Sequence, residues 1–560
     1  MIGAGERVVL AGLALVIVLL AAVPFARLVQ AGLSPGGRAD LAPFRRILTA
    51  PPTWRATAHT LETGVGGAAL AALLGTAVAV LVALTDIRTK GALVFAFMLP
   101  LMIAPQVTAL AWSQALGPQS PLLRLLGLAP PPGAPHPLYS AGGIVLLLGL
   151  QQAPLVFLAV RAAFRGIPRE LIEAARAAGA RPPRVLATVV LPLASPALLA
   201  GTSLAFVGAI GNFGIPALLG IPGRYAVLTT LIYQRLAGLG PAVLAEVAAL
   251  SLLLAGMALA GVALQSWSAG RRDVRVIPQP APPLWHLGRK RWRLELAAWL
   301  LVGVLALLPL VALLTASLVP APGVTLTRAN ATLDAYAFVL REHPPTRRAF
   351  RNSAALAGSA AVLLAGLAMP LGYFLVWRRT PGLRALATLA ELPYALPGIV
   401  LAIAMILVLL RPLPLVHWHL YNTPWIILLA YLARFLALAL RPVVSGYQQL
   451  DPALEEAARM AGAGFGYRLR TVVVPLLAPV AVAGALLVFL TAFSELTVSA
   501  LLWSAGAETL GVVVFSLEQG GDSVAAAAVA VLSVAATIAA MLAGSALARR
   551  VPAGGLPWHA

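Results

Sequence analysis

Two short segments carry the residue pattern with the clearest chemical meaning in this chain. Each reads Glu-Ala-Ala, three further residues and Gly, with a Pro later on: Glu173, Ala174, Ala175, Gly179 and Pro192 in the first, and Glu456, Ala457, Ala458, Gly462 and Pro475 in the second. A carboxylate near a helix start favours the helix dipole and can pair with a cation of another protein, while Ala and Gly allow close approach. These residue types predict a contact surface for a partner protein.

The two segments also indicate an internal duplication. Glu173 and Glu456 are 283 residues apart, and the Gly and Pro positions keep the same spacing. A single copy in an Ala-rich chain fits a plain helical hairpin equally well. Two copies with matched spacing favour the partner surface.

Each pattern is predicted to form a short amphipathic helix. Pro168 leads into the first helix and Gly179 ends it, whereas in the second Asp451 is the N-cap, Pro452 lies in the first turn and Gly462 ends the helix. Small apolar residues share one face of each helix: Leu171, Ala174, Ala175 and Ala178 in the first, and Leu454, Ala457, Ala458 and Ala461 in the second. The stretch after each Gly is predicted to be a second short helix that turns back into the membrane.

The composition is that of a polytopic membrane protein. Of 560 residues, 60% are hydrophobic and only 11% are charged, and the mean hydropathy is +0.91. The formal charge of +21 comes from basic residues clustered beside apolar runs, which is typical of membrane topology and argues against nucleic-acid binding. The absence of Cys excludes disulfides, thiolate metal sites and Cys nucleophiles.

Apolar runs of about 20 residues predict an all-α protein with about twelve transmembrane helices in two homologous six-helix halves. The runs lie at 8–29, 60–84, 92–114, 141–163, 194–219, 241–266, 294–317, 354–377, 385–410, 424–443, 477–503 and 523–547. The predicted domains are a first half (1–268), a cytoplasmic linker (269–293) and a second half (294–560). The charged loops at 164–193 and 447–476, which we call the EAA loops, contain the repeated pattern.

Basic residues of the short loops predict the orientation, with both termini and both EAA loops in the cytoplasm of a bacterial inner membrane. These residues include Arg88, Lys90, Arg378, Arg379, Arg549 and Arg550, with the Arg residues of the EAA loops and of the linker. Opposing evidence comes from Arg residues near the starts of spans on the other side: Arg38, Arg45, Arg46, Arg55, Arg341, Arg347, Arg348 and Arg351. Residues 8–24 also fit the core of a cleaved signal peptide, but cleavage would leave an odd number of helices.

The chain resembles permeases of the binding-protein-dependent ATP-binding-cassette importers, whose hallmark is the Glu-Ala-Ala loop followed by Leu-Pro or a similar pair. The resemblance implies a type I importer permease fold, two copies of a cytoplasmic ATPase docked on the two EAA loops, and a periplasmic or lipid-anchored binding protein that delivers the substrate. It places the eight Glu, Ala and Gly residues of the repeated pattern at the ATPase contact.

The order of parts further resembles the fused permeases of ferric-iron importers. The passages that carry this begin at Leu99-Pro100, Leu392-Pro393, Phe213-Gly214 and Tyr225. Ferric iron is therefore the preferred cargo. Fused permeases for thiamine, and for phosphonates or polyamines, share the same plan and stay as alternatives. The rival classes are an enzyme and an ion-coupled secondary transporter.

No ATP-binding loop accompanies either Lys90 or Lys290, so the chain is expected to be a permease and not an enzyme, with no cofactor of its own and with ATP on a partner. The Gly-rich run 64–67 lies inside an apolar helix, where it predicts close helix packing. No paired catalytic residues occur in the loops.

Polar residues at membrane depth are the candidates for the translocation pathway. The spacing of 283 aligns Asn212 with Glu495 in the fifth span of each half, and Ser494 and Thr497 flank Glu495. Tyr394 is a further candidate, and Glu391, Gln106 and Arg434 are weaker ones. An equally good interpretation is that Asn212 and Glu495 only bond neighbouring helices.

Four Pro residues are predicted to kink the third span of each half, namely Pro100, Pro105, Pro393 and Pro397. Ferric iron would favour oxygen donors such as those of Glu495 and Tyr394. No cluster of such donors appears, which fits a permease that passes on a cargo selected by a binding protein. His417 and His419 lie in a loop without the spacing of a metal site, so no metal site is expected.

Overall fold

The computed structural model describes residues 3–34, 41–131, 133–238, 243–269, 283–378, 381–412 and 417–548. Most of the predicted linker, at 270–282, lies outside these residues, as do the orientation residues Arg38, Arg379, Arg549 and Arg550. The described chain is helical throughout, apart from loops and one isolated bridge between Thr85 and Trp285. This agrees with the predicted all-α class, because a helix satisfies its own backbone polar groups in lipid.

The described residues of the first half form twelve helices. They are α1 Gly5–Leu33, α2 Ala42–Thr49, α3 Pro51–Leu84, α4 Lys90–Met102, α5 Pro105–Leu116, α6 Pro121–Leu125, α7 Ala141–Arg165, α8 Arg169–Ala177, α9 Pro182–Ile210, α10 Gly214–Leu219, α11 Leu228–Leu236 and α12 Val243–Ala269.

The second half follows the same order. It consists of α13 Gly288–Ser317, α14 Asp334–Ala337, α15 Pro344–Arg378, α16 Pro381–Ala395, α17 Gly398–Leu409, α18 Pro424–Gln449, α19 Ala453–Met460, α20 Phe465–Phe493, α21 Ser499–Leu502, α22 Leu510–Gln519 and α23 Ser523–Ala548. Helices α8 and α19 belong to the two EAA loops, and we call the side of the bundle that carries them the EAA face.

Ten of the described helices are long and apolar enough to cross a membrane, and the number rises to twelve when two bent pairs each count as one span. The bent pairs are the third span of each half. Helices α4 and α5 meet at 103°, and α16 and α17 at 108°. The predicted kinks are therefore sharp breaks, with Pro105 opening α5 and Pro397 preceding α17.

The boundaries predicted for the fifth spans were wrong at both ends. We predicted 194–219 and 477–503, but α9 ends at Ile210 and α20 at Phe493, and a short helix follows each break. The predicted second short helices of the EAA loops are also not separate, because α9 and α20 run without interruption from the loop into the membrane. Pro192 and Pro475 are accommodated because five π-helical residues precede each Leu-Pro or Val-Pro pair.

These π-helical turns show the duplication in the backbone itself. Leu186–Val190 and Leu469–Val473 are again 283 residues apart. A second pair occurs within the first spans, at Val18–Ala22 and Gly303–Leu307. The copied sequence therefore keeps a local helix irregularity as well as its helix order.

The first span of each half packs across onto the other half. Helix α1 contacts α12 of its own half and α17 of the second half, whereas α13 contacts α23 of its own half and α5 of the first half. Small residues permit the closest packing within the first half. A Cβ atom on Gly75 would lie 2.6 Å from the Ala153 carbonyl oxygen, and one on Gly67 would lie 3.0 Å from the Leu148 Cβ, which confirms the predicted packing role of the Gly-rich run.

Matched polar ties join the loops opposite the EAA face to α3 and α15. Arg348 donates two hydrogen bonds to the Glu508 carboxylate, at 2.9 and 3.0 Å. At the position 283 residues earlier, the Tyr225 hydroxyl donates to Glu62 at 2.6 Å, and its ring stacks on His59 with the ring centroids 3.8 Å apart. Both halves thus keep a polar bond between the loop and the second span, but it is an ion pair in the second half and a Tyr–Glu hydrogen bond in the first.

Candidate functional site

The first EAA helix, α8, is held by one buried side chain and leaves the predicted face open. Pro168 lies immediately before the helix, and Ile172 is its buried residue, 1% exposed. Leu171, Ala174 and Ala178 are exposed, and Ala175 is half-buried. The small apolar face therefore points away from the bundle.

The second EAA helix, α19, has the same exposure on the same positions. The predicted N-cap, Asp451, lies one residue before the N-cap position, which Pro452 occupies, and its carboxylate accepts the Ala453 amide at 2.9 Å. Leu454 and Ala457 are exposed, and Ala458 is half-buried. Two copies of one open surface therefore lie on the EAA face.

Both helices end in the same way. The amides of Ala178, Gly179 and Ala180 donate to carbonyl oxygens of α8, and residues 461–463 repeat the three bonds on α19. Gly179 has φ +83° and Gly462 φ +81°, the left-handed region that favours Gly. The Gly of the pattern thus has a conformational reason and ends each helix sharply.

The two pattern glutamates are exposed but differ in their local partners. Glu173 accepts a hydrogen bond from Arg169 one turn earlier, at 2.5 Å, and both side chains are about half exposed. Pro452 occupies the position equivalent to Arg169, and Glu456 makes no ion pair within the described part of the chain. Both carboxylates are accessible to a cation of another protein.

A buried ionic cluster holds α19 where Ile172 holds α8. Glu455, equivalent to Ile172, accepts from the Tyr373 hydroxyl at 3.0 Å and lies 2.8 Å from Arg468 Nε. Glu6, at the start of α1, lies 2.8 Å from Arg468 and 2.9 Å from Arg378. Two carboxylates and two guanidinium groups balance within this cluster, as buried charges require.

The cluster joins the start of the chain to the second EAA helix, and it was not predicted. The sequence signal that could have revealed it is the offset of 283 between the repeats. Glu455 and Arg468 occupy the positions equivalent to the apolar Ile172 and Val185 of the first repeat. Both Val185 and Arg468 are buried. Two opposite charges acquired at buried positions of one repeat would have indicated an ion pair.

The first EAA helix has a different additional support, from the end of the predicted linker. Arg176 donates to the Leu284 carbonyl at 2.7 Å, and the amides of Leu284 and Trp285 donate to the Leu84 carbonyl. The segment 284–287 therefore touches α8 at Leu284 and is fixed to the end of α3.

The predicted pathway residues Asn212 and Glu495 are buried caps of short helices. Asn212 Oδ1 accepts the Ile215 amide at 3.1 Å. Glu495 accepts the amides of Val498 and Ser499, at 2.8 and 3.1 Å, and the Ser499 hydroxyl. Because these bonds occupy both carboxylate oxygens, the geometry explains the residues by helix capping without a ligand.

The other candidates around Glu495 lie where the halves meet. Gln106 of the first half donates to the Ser494 carbonyl at 2.8 Å, and the Ser494 hydroxyl lies 2.9 Å from that of Ser533. Thr497 is half-buried next to Gly398. Aromatic rings of Phe213, Tyr233 and Phe515 close the same region, with centroids 5.0 to 5.9 Å apart.

Tyr394 lies apart from this buried group. It is 37% exposed, and the Arg441 guanidinium is 5.2 Å from its ring centroid. Glu391 and Arg441 are also about half exposed, with their charged groups 3.9 Å apart. In the described residues, no three His, Asp or Glu side chains converge in a way that could hold a metal ion.

The comparison with known proteins agrees with the duplicated architecture. The family described as the binding-protein-dependent transport system inner membrane component matches residues 71–269 and again 363–552. The chain belongs to this family. It is a multi-pass inner-membrane permease of ATP-binding-cassette transport, which confirms the predicted permease class and its fused duplication. Its partners are an ATPase and a substrate-binding protein, and ATP hydrolysis takes place on the separate ATPase.

Similar proteins differ in the substrate named for them. The chain is 30% identical over 542 residues to the probable ABC transporter permease protein y4fN of Sinorhizobium fredii, which covers 92% of this chain and 90% of that protein. It is 25% identical to the putative ferric transport system permease protein FbpB 1 of Haemophilus influenzae, over 73% of this chain and 64% of the relative. A molybdenum transport system permease protein, ModB of Azotobacter vinelandii, is 29% identical over 31% of this chain and 77% of its own length.

Proposed function

We propose that α8 and α19 each dock one ATPase subunit, so that one permease chain binds two. The observation that carries this proposal is the repeated, exposed face of small residues on two helices of identical ending. In this proposal the contact is formed by Glu173, Ala174, Ala175 and Gly179 on α8 and by Glu456, Ala457, Ala458 and Gly462 on α19. The EAA face and both termini are then cytoplasmic, as the basic loops indicate.

ATP-driven motion reaches the membrane through these helices. Helices α8 and α19 connect to α9 and α20, which run unbroken to the capped breaks at Asn212 and Glu495. A displacement of either EAA helix is therefore transmitted along one continuous helix, α9 or α20, to the place where the halves meet. The closed contacts of Phe213 and Phe515 would separate when the permease alternates between outward and inward access.

The cytoplasmic part of the route is proposed to pass Glu391, Tyr394 and Arg441. Glu391 is ten residues from the start of α16 and Arg441 eight from the end of α18, which places both roughly 12 to 15 Å from the EAA face. Charged side chains that are half exposed at this depth fit a water-filled vestibule. The gate would lie deeper in the membrane than this vestibule. It would consist of the buried group that contains Glu495, Asn212, Ser494 and Thr497.

Ferric iron delivered by a periplasmic or lipid-anchored binding protein is the proposed cargo. The support is the likeness to permeases named for ferric transport, together with the fused order of the halves. A molybdenum transport permease is also similar, over 31% of this chain, so the likeness alone does not fix the cargo, and thiamine, phosphonates and polyamines remain second candidates. Uptake of labelled ferric iron, molybdate and thiamine by the reconstituted complex with its binding protein distinguishes them.

The docking proposal is tested by the double variant Glu173→Ala/Glu456→Ala, co-expressed with the ATPase. We expect retention of the ATPase to fall by at least about tenfold, which corresponds to about 1.4 kcal/mol. Glu170→Ala is the matched control, because Glu170 is an exposed carboxylate on the same helix. Intact association and uptake in the double variant would show that these carboxylates do not couple the subunits. Full uptake by the chain alone under an ion gradient would instead identify a secondary transporter.

A further inference from the structure

A positively charged cleft opens on the EAA face, beside the start of α13. Its volume is about 670 Å³, and it lies between the loop after α3 and residues 288–295. Five cationic side chains line it together with one carboxylate, that of Glu295; the cations are Arg88, Arg289, Lys290, Arg291 and Arg293.

Most of this positive charge is not neutralised by the protein. Arg291 pairs with Asp86, and Glu295 accepts the backbone amide of Arg88. Within the described residues, no ion pair involves Arg289, Lys290 or Arg293, and all three are exposed. The cleft is thus fitted to an anion.

An apolar ridge begins where the cleft ends. Trp292, Leu296, Leu300, Val304 and Leu307 follow one another along α13, mostly four residues apart, and each is about half exposed or more. Helix α13 is one of the spans apolar enough to cross the membrane. These side chains therefore face lipid tails, with Trp292 at the depth of the headgroups, where Trp is favoured.

We propose that the cleft binds the phosphate headgroup of an anionic phospholipid, whose acyl chains lie along the ridge of α13. A basic pocket at the end of a membrane helix attracts such headgroups. The ridge decides between occupants, because a soluble anion matches only the charge, whereas a phospholipid matches both the charge and the adjoining apolar surface.

The site would act on the first EAA helix. Segment 284–287 leads directly into the cleft and holds Arg176 of α8 through the Leu284 carbonyl. The Leu287 amide is bonded to Asp86, which also pairs with Arg291 of the cleft. A bound headgroup would therefore steady the segment that supports α8.

The test measures lipid binding to the full chain, purified in detergent without its ATPase. Phosphatidylglycerol and phosphatidylcholine compete for the protein, and bound lipid is counted by native mass spectrometry. Wild type is expected to prefer phosphatidylglycerol, and Arg289→Gln/Lys290→Gln/Arg293→Gln is expected to retain it at least about tenfold less well. Arg181→Gln/Arg384→Gln/Arg470→Gln removes the same charge from exposed residues elsewhere and should bind as wild type does.

Three results would overturn the proposal. The first is that wild type shows no preference for phosphatidylglycerol over phosphatidylcholine, a result that requires no variant. The cleft variant could retain the lipid as well as the control variant does. Inorganic phosphate could displace phosphatidylglycerol at equal concentration, which would identify a site for free anions. Because neither cargo nor ATPase enters the measurement, its result is independent of the proposed transport function.

Discussion

Adjacent glutamates of α19 have opposite surroundings and are expected to have opposite roles. Glu455 is buried in the ionic cluster, whereas Glu456 is exposed on the proposed docking surface. Removing one partner of a buried ion pair leaves an uncompensated charge, while removing an exposed carboxylate has little effect on folding. One position therefore reports on stability and its neighbour on association.

Glu455→Gln should destabilise the protein by about 3 kcal/mol, since Arg378 and Arg468 would then share the single carboxylate of Glu6. The measurement is the midpoint of unfolding in detergent, followed by Trp fluorescence. Glu456→Gln is the matched control, and its midpoint should not change.

The first half provides a rescue of this variant. Glu455→Ile/Arg468→Val installs the apolar pair found at Ile172 and Val185 and leaves Glu6 with Arg378. We expect the double variant to be more stable than Glu455→Gln, because an apolar pair can replace a buried ion pair with little loss. A double variant that is less stable than the single one would contradict the exchange of ionic for apolar support.

The Glu508–Arg348 ion pair, on the side of the bundle opposite the EAA face, predicts that the stability of the protein depends on pH. The two hydrogen bonds from Arg348 lower the pKa of Glu508 to about 2, against the opposing effect of burial and with help from the Gly506 amide. A carboxyl group whose pKa is lowered in the folded state stabilises that state at pH values above its ordinary pKa of about 4.3. This stabilisation is lost as the pH falls toward the pKa of the folded state.

The difference in unfolding midpoint between wild type and Glu508→Gln should therefore be full at neutral pH and shrink as the pH falls from about 4.5 toward 2. Taking the difference removes the effect of the other carboxyl groups. A difference that stays constant across this range would show that the Arg348 pair contributes no charge-dependent stability.

At the residue scale, the sequence predicts what local chemistry determines. The Asp451 carboxylate that accepts an amide at the start of α19 and the positive φ of Gly179 and Gly462 follow from residue type and position near a helix end. The partners of Glu455 lie on α15 and α20, so its burial depends on tertiary packing. Asn212 and Glu495 were correctly paired by their spacing, but their bonds to the following amides appear only in three dimensions.

The two EAA helices are elements whose ends are set by one Gly each. No atom lies within 4 Å of a Cβ built on Gly179 or Gly462, so substitution there meets no steric clash. The cost arises from φ alone and is about 1 kcal/mol for a residue with a Cβ in the left-handed region. The expected damage is thus a frayed helix end and not a disturbed core.

Gly462→Ala should increase hydrogen exchange of the amides at 461–463 and weaken ATPase association, with little change in the unfolding midpoint. Gly464→Ala is the matched control. Its site is equally open, but its φ is −63°, which any residue adopts. Equal effects of the two substitutions would show that the left-handed turn is not what positions α19.

Proline position predicted that the third spans bend but did not predict how far. Bends of 103° and 108° turn one apolar run into two helices, and α5 and α17 then become the surfaces that receive the first span of the other half. The reverse error occurred at Pro192 and Pro475, where a π-helical turn accommodates the Pro and the helix continues. The sequence shows where a Pro lies, but the surrounding backbone determines whether the helix breaks there or continues through a π-helical turn.

At the scale of the whole molecule, the first span of each half packs against both halves. Apolar periodicity counted the helices and the repeated spacing divided them into halves, but neither contains information on which half a given span contacts. Helix α1 places Leu13, Ile17 and Leu28 in the core, and Glu6 at its start completes the cluster under α19. Each half therefore supplies part of the other.

This shared packing predicts that the halves assemble with each other but are poorly folded alone. Separate chains split between Pro278 and Gln279 should co-purify when expressed together, whereas either tagged half expressed alone should aggregate in detergent. The first half extended through Thr325 regains α13, which contacts α5, so it should be more monodisperse than the shorter fragment by size-exclusion chromatography. If the shorter first half were as monodisperse as the extended one, the contact between α13 and α5 would not be needed for its fold.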